Sequence, residues 1–188
     1  MTAGATPLMN AHDTPGDALV DHARLAHELE ALHPHCFGWA MACCERQRDV
    51  AEDVLHDVYV KVLEGSARFD GRSTLKTWLF GVIRRTASSH GRRERLRAVL
   101  GMREVSRTDR PPAASPADEA ERGDRVARTR HALTRLSARQ RQVLELVFYH
   151  DLTIEEAAAI MNVSVGSARV HYHRAKARMA TLLFGDRP

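Results

Sequence analysis

The stretch Thr153 to Arg178, TIEEAAAIMNVSVGSARVHYHRAKAR, limits the folds open to this chain more than any other. Thr153-Ile154-Glu155-Glu156 has capping-box spacing: the Thr153 hydroxyl accepts a free backbone N–H while Glu156 reaches back to the cap. Ala157, Ala158 and Ala159 keep this first helix thin, so a second helix can pack close. Met161-Asn162-Val163-Ser164 breaks the pattern, because Asn162 tolerates a left-handed backbone and Ser164 can cap the next helix. Val165, Ala168, Tyr172, Ala175 and Met179 then recur at spacings of three and four, one helix face. Off that face lie Arg169, His171, His173, Arg174, Lys176 and Arg178, and no acidic residue follows Glu156 until Asp186. The pattern is a helix-turn-helix whose second helix suits a major groove. A helical hairpin with a solvated charged face is the plainer reading; one-signed charge after a turn of this chemistry favours nucleic acid.

The rest of the chain is compatible with such a partner. It has 188 residues with a net charge of +4, and 44% of them are hydrophobic, enough for a buried core. No apolar run reaches the roughly 20 residues needed to cross a bilayer, so no membrane embedding is expected. The start, MTAGATPLMNAHDTPG, has neither the basic nor the apolar part of a secretory signal. Three cysteines argue against a disulfide framework and for a reducing, cytoplasmic setting.

Residues 1–16 read as a disordered tail. Helices are expected from Asp17 to Leu32, interrupted by Pro34, and from His35 to about Arg46 with Phe37, Trp39 and Cys44. A third, Asp49 to Glu64, carries Asp49 and Glu52 at capping-box spacing and a wide apolar stripe of Val54, Val58, Val62, Leu55, Tyr59 and Leu63. SARFDGR is a loop with an Asp-Gly turn. Ser73 then caps a fourth helix, apolar at Leu75, Trp78, Leu79, Val82 and Ile83, and basic at its end. Residues 98–124 read as a flexible linker. Beyond it, Ser137 and Gln140 form another capping box, opening a helix with Val143, Leu144, Val147 and Phe148 as its core stripe. The expected fold is all-α: two small helical domains, 17–97 and 125–184, joined by that linker.

No enzyme site emerges. His33, His35, Cys36, Cys43, Cys44 and His56 fit no zinc spacing, so no metal is expected. There is no phosphate loop and no nucleophile–base motif, so neither a cofactor nor a small-molecule substrate is expected.

AEDVLHDVYVKVL (Ala51 to Leu63) followed by TWLFGVIRR (Thr77 to Arg85) resembles conserved region two of bacterial RNA polymerase sigma factors. Leu133 to Met179 resembles region four. With no region-three domain between them, the chain looks like the extracytoplasmic-function (ECF) group of the sigma-70 family, over roughly residues 22–97 and 125–184. The resemblance implies an alternative sigma factor: it would bind core RNA polymerase, direct it to promoter DNA and help melt it. It also implies an anti-sigma factor as partner. Residue by residue, Asp53 and Asp57 would contact the polymerase. Phe69, Asp70 and Ser73 would lie at a pocket for a flipped base of the minus-ten element. Arg84, Arg85, Arg92 and Arg93 would follow its phosphates. Ser167, Arg169, Val170, His173, Arg174 and Lys176 would face the minus-thirty-five element. The recognition helix opens Gly166-Ser167-Ala168-Arg169-Val170-His171, where the family usually has Gly-Thr-Val-Lys/Arg-Ser-Arg, so no promoter sequence is carried over. The alternative is a helix-turn-helix regulator without sigma activity, which would not need the acidic helix and the Trp-bearing helix of the first half.

Overall fold

The computed structural model describes residues 15–100 and 118–185. They contain α1 (Pro15–Cys43), α2 (Arg48–Leu63), α3 (Leu75–Val99), α4 (Asp118–Thr134), α5 (Ala138–Leu144), α6 (Ile154–Met161) and α7 (Val165–Phe184). No strand occurs among the described residues, as the all-α reading expects. Most of the expected tail, 1–16, and the middle of the expected linker lie outside them. Pro34 does not end a helix: it sits inside α1. α4 begins at Asp118, within the stretch expected to be linker, where Asp118-Glu119-Ala120-Glu121-Arg122 is rich in good helix formers.

The chain divides into two compact units, Met1–Pro34 and His35–Pro188. Segments expected in separate domains, 35–97 and 126–184, thus belong to one unit. In its first half, α2 packs on α3. Ala51, Val54, Leu55, Val58 and Val62 are buried on α2, and Leu79, Phe80, Val82 and Ile83 on α3. Leu63, expected in the α2 stripe, is exposed at the last turn. Trp39 is fully buried; its ring stacks on Phe80 at 5.8 Å, and its indole N–H donates to the Phe80 carbonyl at 3.0 Å. That bond satisfies the only polar atom of the side chain, which lets so large a ring sit in the core.

In the second half, α5 and α6 both pack on α7. Leu136, Leu144 and Ala175 form a buried cluster with Leu133, Tyr172 and Met179 against it. Both capping boxes read from the sequence close, Ser137 with Gln140 and Thr153 with Glu156. Two other caps differ. The N-cap of α2 is Gln47, without a side-chain bond; Asp49 already lies inside the first turn, so the expected Asp49–Glu52 box does not form, and Glu52 accepts from Arg48 at 2.7 Å. At the start of α3 it is Thr74, not Ser73, whose hydroxyl accepts the Thr77 N–H at 3.1 Å, while the Ser73 hydroxyl donates to the Thr74 carbonyl.

The helix opened by Ser137 continues past Leu144 as a π-turn, Glu145–Tyr149. The wider turn shifts every later side chain around the axis. Leu146 and His150 therefore point inward, whereas Phe148, expected in the core stripe, is 62% exposed.

Candidate nucleic-acid interface

The turn between α6 and α7 forms as its residues dictate. Asn162 is left-handed at φ 51°, and the Ser164 hydroxyl caps α7 by accepting the Ser167 N–H at 3.1 Å. Ala157, Ala158 and Ala168 are buried, and α6 packs on α7. That contact fixes which side of α7 looks outward. Arg169, His173 and Lys176 form one exposed row at spacings of four and three, and Val170 with Arg174 forms the row beside it. Ser167 is exposed in the first turn and its hydroxyl accepts from that of Ser164. All six residues expected at the minus-thirty-five element thus share one outward side of one helix. Arg169 pairs with Glu155 of α6 at 2.9 Å, both side chains being well exposed. An exposed pair of this kind contributes little, about 0–1 kcal/mol, and holds the guanidinium only loosely.

The loop between α2 and α3 is built on an Asp-Gly turn. The Asp70 carboxylate accepts the Arg72 N–H at 3.2 Å, and Gly71 has φ +72°, a conformation that favours glycine. Phe69 is exposed on this loop, with its ring centroid 5.5 Å from that of Trp78. Trp78 is half-buried, not a core residue like Leu79. The rotation of α3 gives the deepest places to Leu79, Phe80 and Ile83 and leaves Trp78 at the rim beside Phe69. Phe80, which would also serve for stacking on a base by its type, is fully buried. Phe69, Asp70 and Ser73 are exposed together on the loop.

Of the four arginines expected along the phosphates, Arg85, Arg92 and Arg93 are exposed on α3, with Arg92 donating to Ser89 at 2.9 Å. Arg84 departs from the set. It is half-buried, donates to Gln142 of α5 at 3.3 Å, and burial presses against its charge. On α2, Asp53 and Asp57 are exposed one turn apart, on the side away from the Val54, Val58, Val62 row.

Arg84 is one of several ties between the two halves of the His35–Pro188 unit, none of which the sequence pattern reveals. Lys76 donates to the His150 carbonyl at 2.8 Å, the Thr77 hydroxyl to Glu156 at 3.0 Å, and Arg46 pairs with Glu145 at 3.1 Å. Burial raises the Glu145 carboxyl and Arg46 opposes that shift. Backbone donation from Thr153 holds Glu156 below the usual range. The His150 ring lies edge-on to Phe80 (4.7 Å), Tyr149 (4.9 Å), Trp39 (6.1 Å) and His35 (6.1 Å).

Burial pushes the Cys36 thiol up to about 12 and Cys44 up to about 11, and it raises Cys43 as well, so none offers a ready thiolate. Among the described residues no group of three or more His, Cys, Asp or Glu side chains is placed to hold a metal.

The family described as Sigma-70 region 2 matches residues 29–97, and Sigma-70, region 4 matches residues 127–179. The ECF RNA polymerase sigma factor SigX of Bacillus subtilis is 29% identical over 132 residues, covering 69% of this chain and 68% of that protein. The ECF RNA polymerase sigma factor SigD of Mycobacterium tuberculosis is 28% identical over 190 residues, covering 95% of this chain and 89% of that one. The sigma factor RpoE of Bartonella quintana, solved with the anti-sigma factor NepR, superposes with a TM-score of 0.68 at 27% identity, over 87% of this chain and 99% of that one. The chain belongs to the sigma-70 family of RNA polymerase sigma factors, in the ECF group for which its relatives are named. Sigma factors are a family of binding proteins, not of enzymes.

Proposed function

We infer that this protein is an alternative sigma factor, which binds core RNA polymerase, directs it to particular promoters and helps melt the DNA. The observation that carries this is the presence of both regions, in order, on one chain. A helix-turn-helix regulator accounts for the second half alone. The chemistry is recognition and capture, so no catalytic residue or cofactor is assigned, and the protein works in the cytoplasm, beside the polymerase.

The roles of individual residues follow from exposure and type. The outward side of α7, with Ser167, Arg169, Val170, His173, Arg174 and Lys176, is assigned to the minus-thirty-five element. There arginine can read guanine bidentately or grip phosphates. Phe69, Asp70 and Ser73 are assigned to capture of an unstacked minus-ten base, for which Phe69 and the adjacent Trp78 offer an aromatic platform. Arg85, Arg92 and Arg93 are assigned to the phosphates beside it, and Arg84 joins them only when released from Gln142. Asp53 and Asp57 are assigned to the polymerase, since both are exposed one turn apart on α2. An anti-sigma factor is a further expected partner, on the likeness to a sigma factor solved with one.

The test is run-off transcription from genomic fragments with purified core polymerase. Initiation that depends on this protein supports the assignment. DNA binding without initiation would leave only the regulator.

A further inference from the structure

One acid stands among the cations on the outward side of the helix-turn-helix. α7 carries no Asp or Glu, and Glu156 of α6 is engaged in its own cap and with Thr77 of α3. Glu155, the residue before it, is exposed and accepts from Nη2 of Arg169 at 2.9 Å. Glu155 stands in the first turn of α6, where the helix dipole favours an acid. The dipole accounts for the residue type but not for its partner, which lies 14 residues away on the second helix.

The neighbouring cations are placed differently. Among the described residues Arg174 and Lys176 pair with no carboxylate, and the Lys176 ammonium lies over the Tyr172 ring at 5.5 Å. A bare cation is drawn to any phosphate, because charge–charge attraction is long-range and tolerant of geometry. A guanidinium balanced by a bonded carboxylate loses most of that pull, since the field of a neutral pair falls off faster than that of an ion. Its remaining N–H groups keep their planar fork and can still donate to a base edge, which demands contact and alignment rather than net charge. In water the Glu155–Arg169 pair is weak. It strengthens when a docked duplex displaces the water around it.

We propose that Glu155 is a positioning residue for promoter selectivity. Bonded to Arg169, it aims the guanidinium at the base edges and withholds it from the phosphates, so that Arg169 reads sequence while Arg174 and Lys176 grip the backbone. The inference rests on the assignment of the outward side of α7 to the upstream element. The first helix of such a motif crosses the DNA backbone. A carboxylate at its start therefore also disfavours registers that bring phosphates against it. Both effects weaken binding to DNA of arbitrary sequence more than binding to the right one, which is how a repulsive group raises specificity.

The experiment uses holoenzyme reconstituted from the full chain and core polymerase. The probes are a promoter recovered by run-off, its single-base variants across the upstream element, and a duplex of random sequence, each titrated at two salt concentrations. Glu155→Gln keeps the shape of the side chain and removes its charge. It is expected to cut preference at the positions read by Arg169 by at least about twofold, though by less than Arg169→Ala does. It should also tighten binding to the random duplex by up to about fivefold, the scale of one exposed ion pair, and steepen the salt slope by about one unit. In the Arg169→Ala background, Glu155→Gln should leave base preference unchanged, because the carboxylate acts through the guanidinium. A lower urea midpoint with preference and salt slope as in the parent would make Glu155 a helix-terminal acid and overturn the proposal. A change of preference that persists without Arg169 would overturn it as well. If Arg169→Ala itself leaves preference intact, the register assigned to α7 fails and the proposal with it, while the sigma reading stands on run-off. If run-off yields no promoter, the sigma reading fails first and takes this inference with it.

Discussion

Arg169 and Arg174 stand in adjacent rows on the same helix and are expected to do different work. Arg169 is in the first turn, where a docked helix places its base contacts; Arg174 is more than a turn further along, where phosphates flank the groove. Arg169→Ala should flatten preference at one or two upstream positions, by about 1–3 kcal/mol of discrimination. Arg174→Ala should weaken all promoters alike and reduce the salt slope by about one unit. Titrations on a single-base promoter library at two salt concentrations separate the two; the reverse pattern would show that the helix docks in another register. Glu156 serves two helices at once, accepting from Thr153 in its own cap and from Thr77 of α3. Glu156→Ala is therefore expected to cost about 1–2 kcal/mol, the upper range for loss of a cap, measured as a lower urea midpoint. Glu156→Gln, which keeps one acceptor oxygen, should fall between. At this scale the sequence was informative where partners are local. The outward residues of α7 and the Asp70–Gly71 turn could be read from spacing alone. The partner of Arg84 could not, because Gln142 is remote in sequence and no periodicity links them.

Elements follow the same rule. The caps at Ser137, Thr153 and Ser164 close as their spacing predicts, because each needs only residues three apart. The π-turn Glu145–Tyr149 was not legible: ELVFY reads equally well as α-helix. What distinguishes them is whether Leu146 and His150 or Val147 and Phe148 find a buried surface, and that surface belongs to the other half of the chain. Pro34 misleads in the opposite direction, because a missing N–H disfavours a helix interior without forbidding it. On α2, the buried valine row leaves the opposite side free to meet a partner. Asp53→Arg with Asp57→Arg should accordingly weaken co-purification with core polymerase while leaving the helical circular dichroism unchanged and the unfolding free energy within about 0.5 kcal/mol of the parent, as surface substitutions usually do. Undiminished co-purification of the folded double variant would remove both residues from the polymerase surface.

The whole molecule shows what pattern reading reaches and what it does not. Helix content and the order of the two regions were visible, since amphipathic periodicity and capping are written locally. The closure of 35–97 on 126–184 was not, because its bonds are few, polar and long-range. Replacing residues 101–117 by Gly and Ser at equal length should leave promoter binding unchanged, since a tether acts through its reach; initiation by that variant, scored by run-off, tells whether the segment also acts within the polymerase. The ties across the seam join residues 74 and 99 apart, Lys76 with His150 and Arg46 with Glu145. The helix pairs beneath them close over far shorter loops. Loop-closure entropy rises with separation, so the near contacts should form early and the distant ones late. A chain emerging from the ribosome would complete its first half before Gln142, His150 and Glu156 existed to cover it. The newborn protein would then pass through an interval in which the aromatic face around Trp39 and Phe80 is open to other partners, and the competition for that face begins during synthesis.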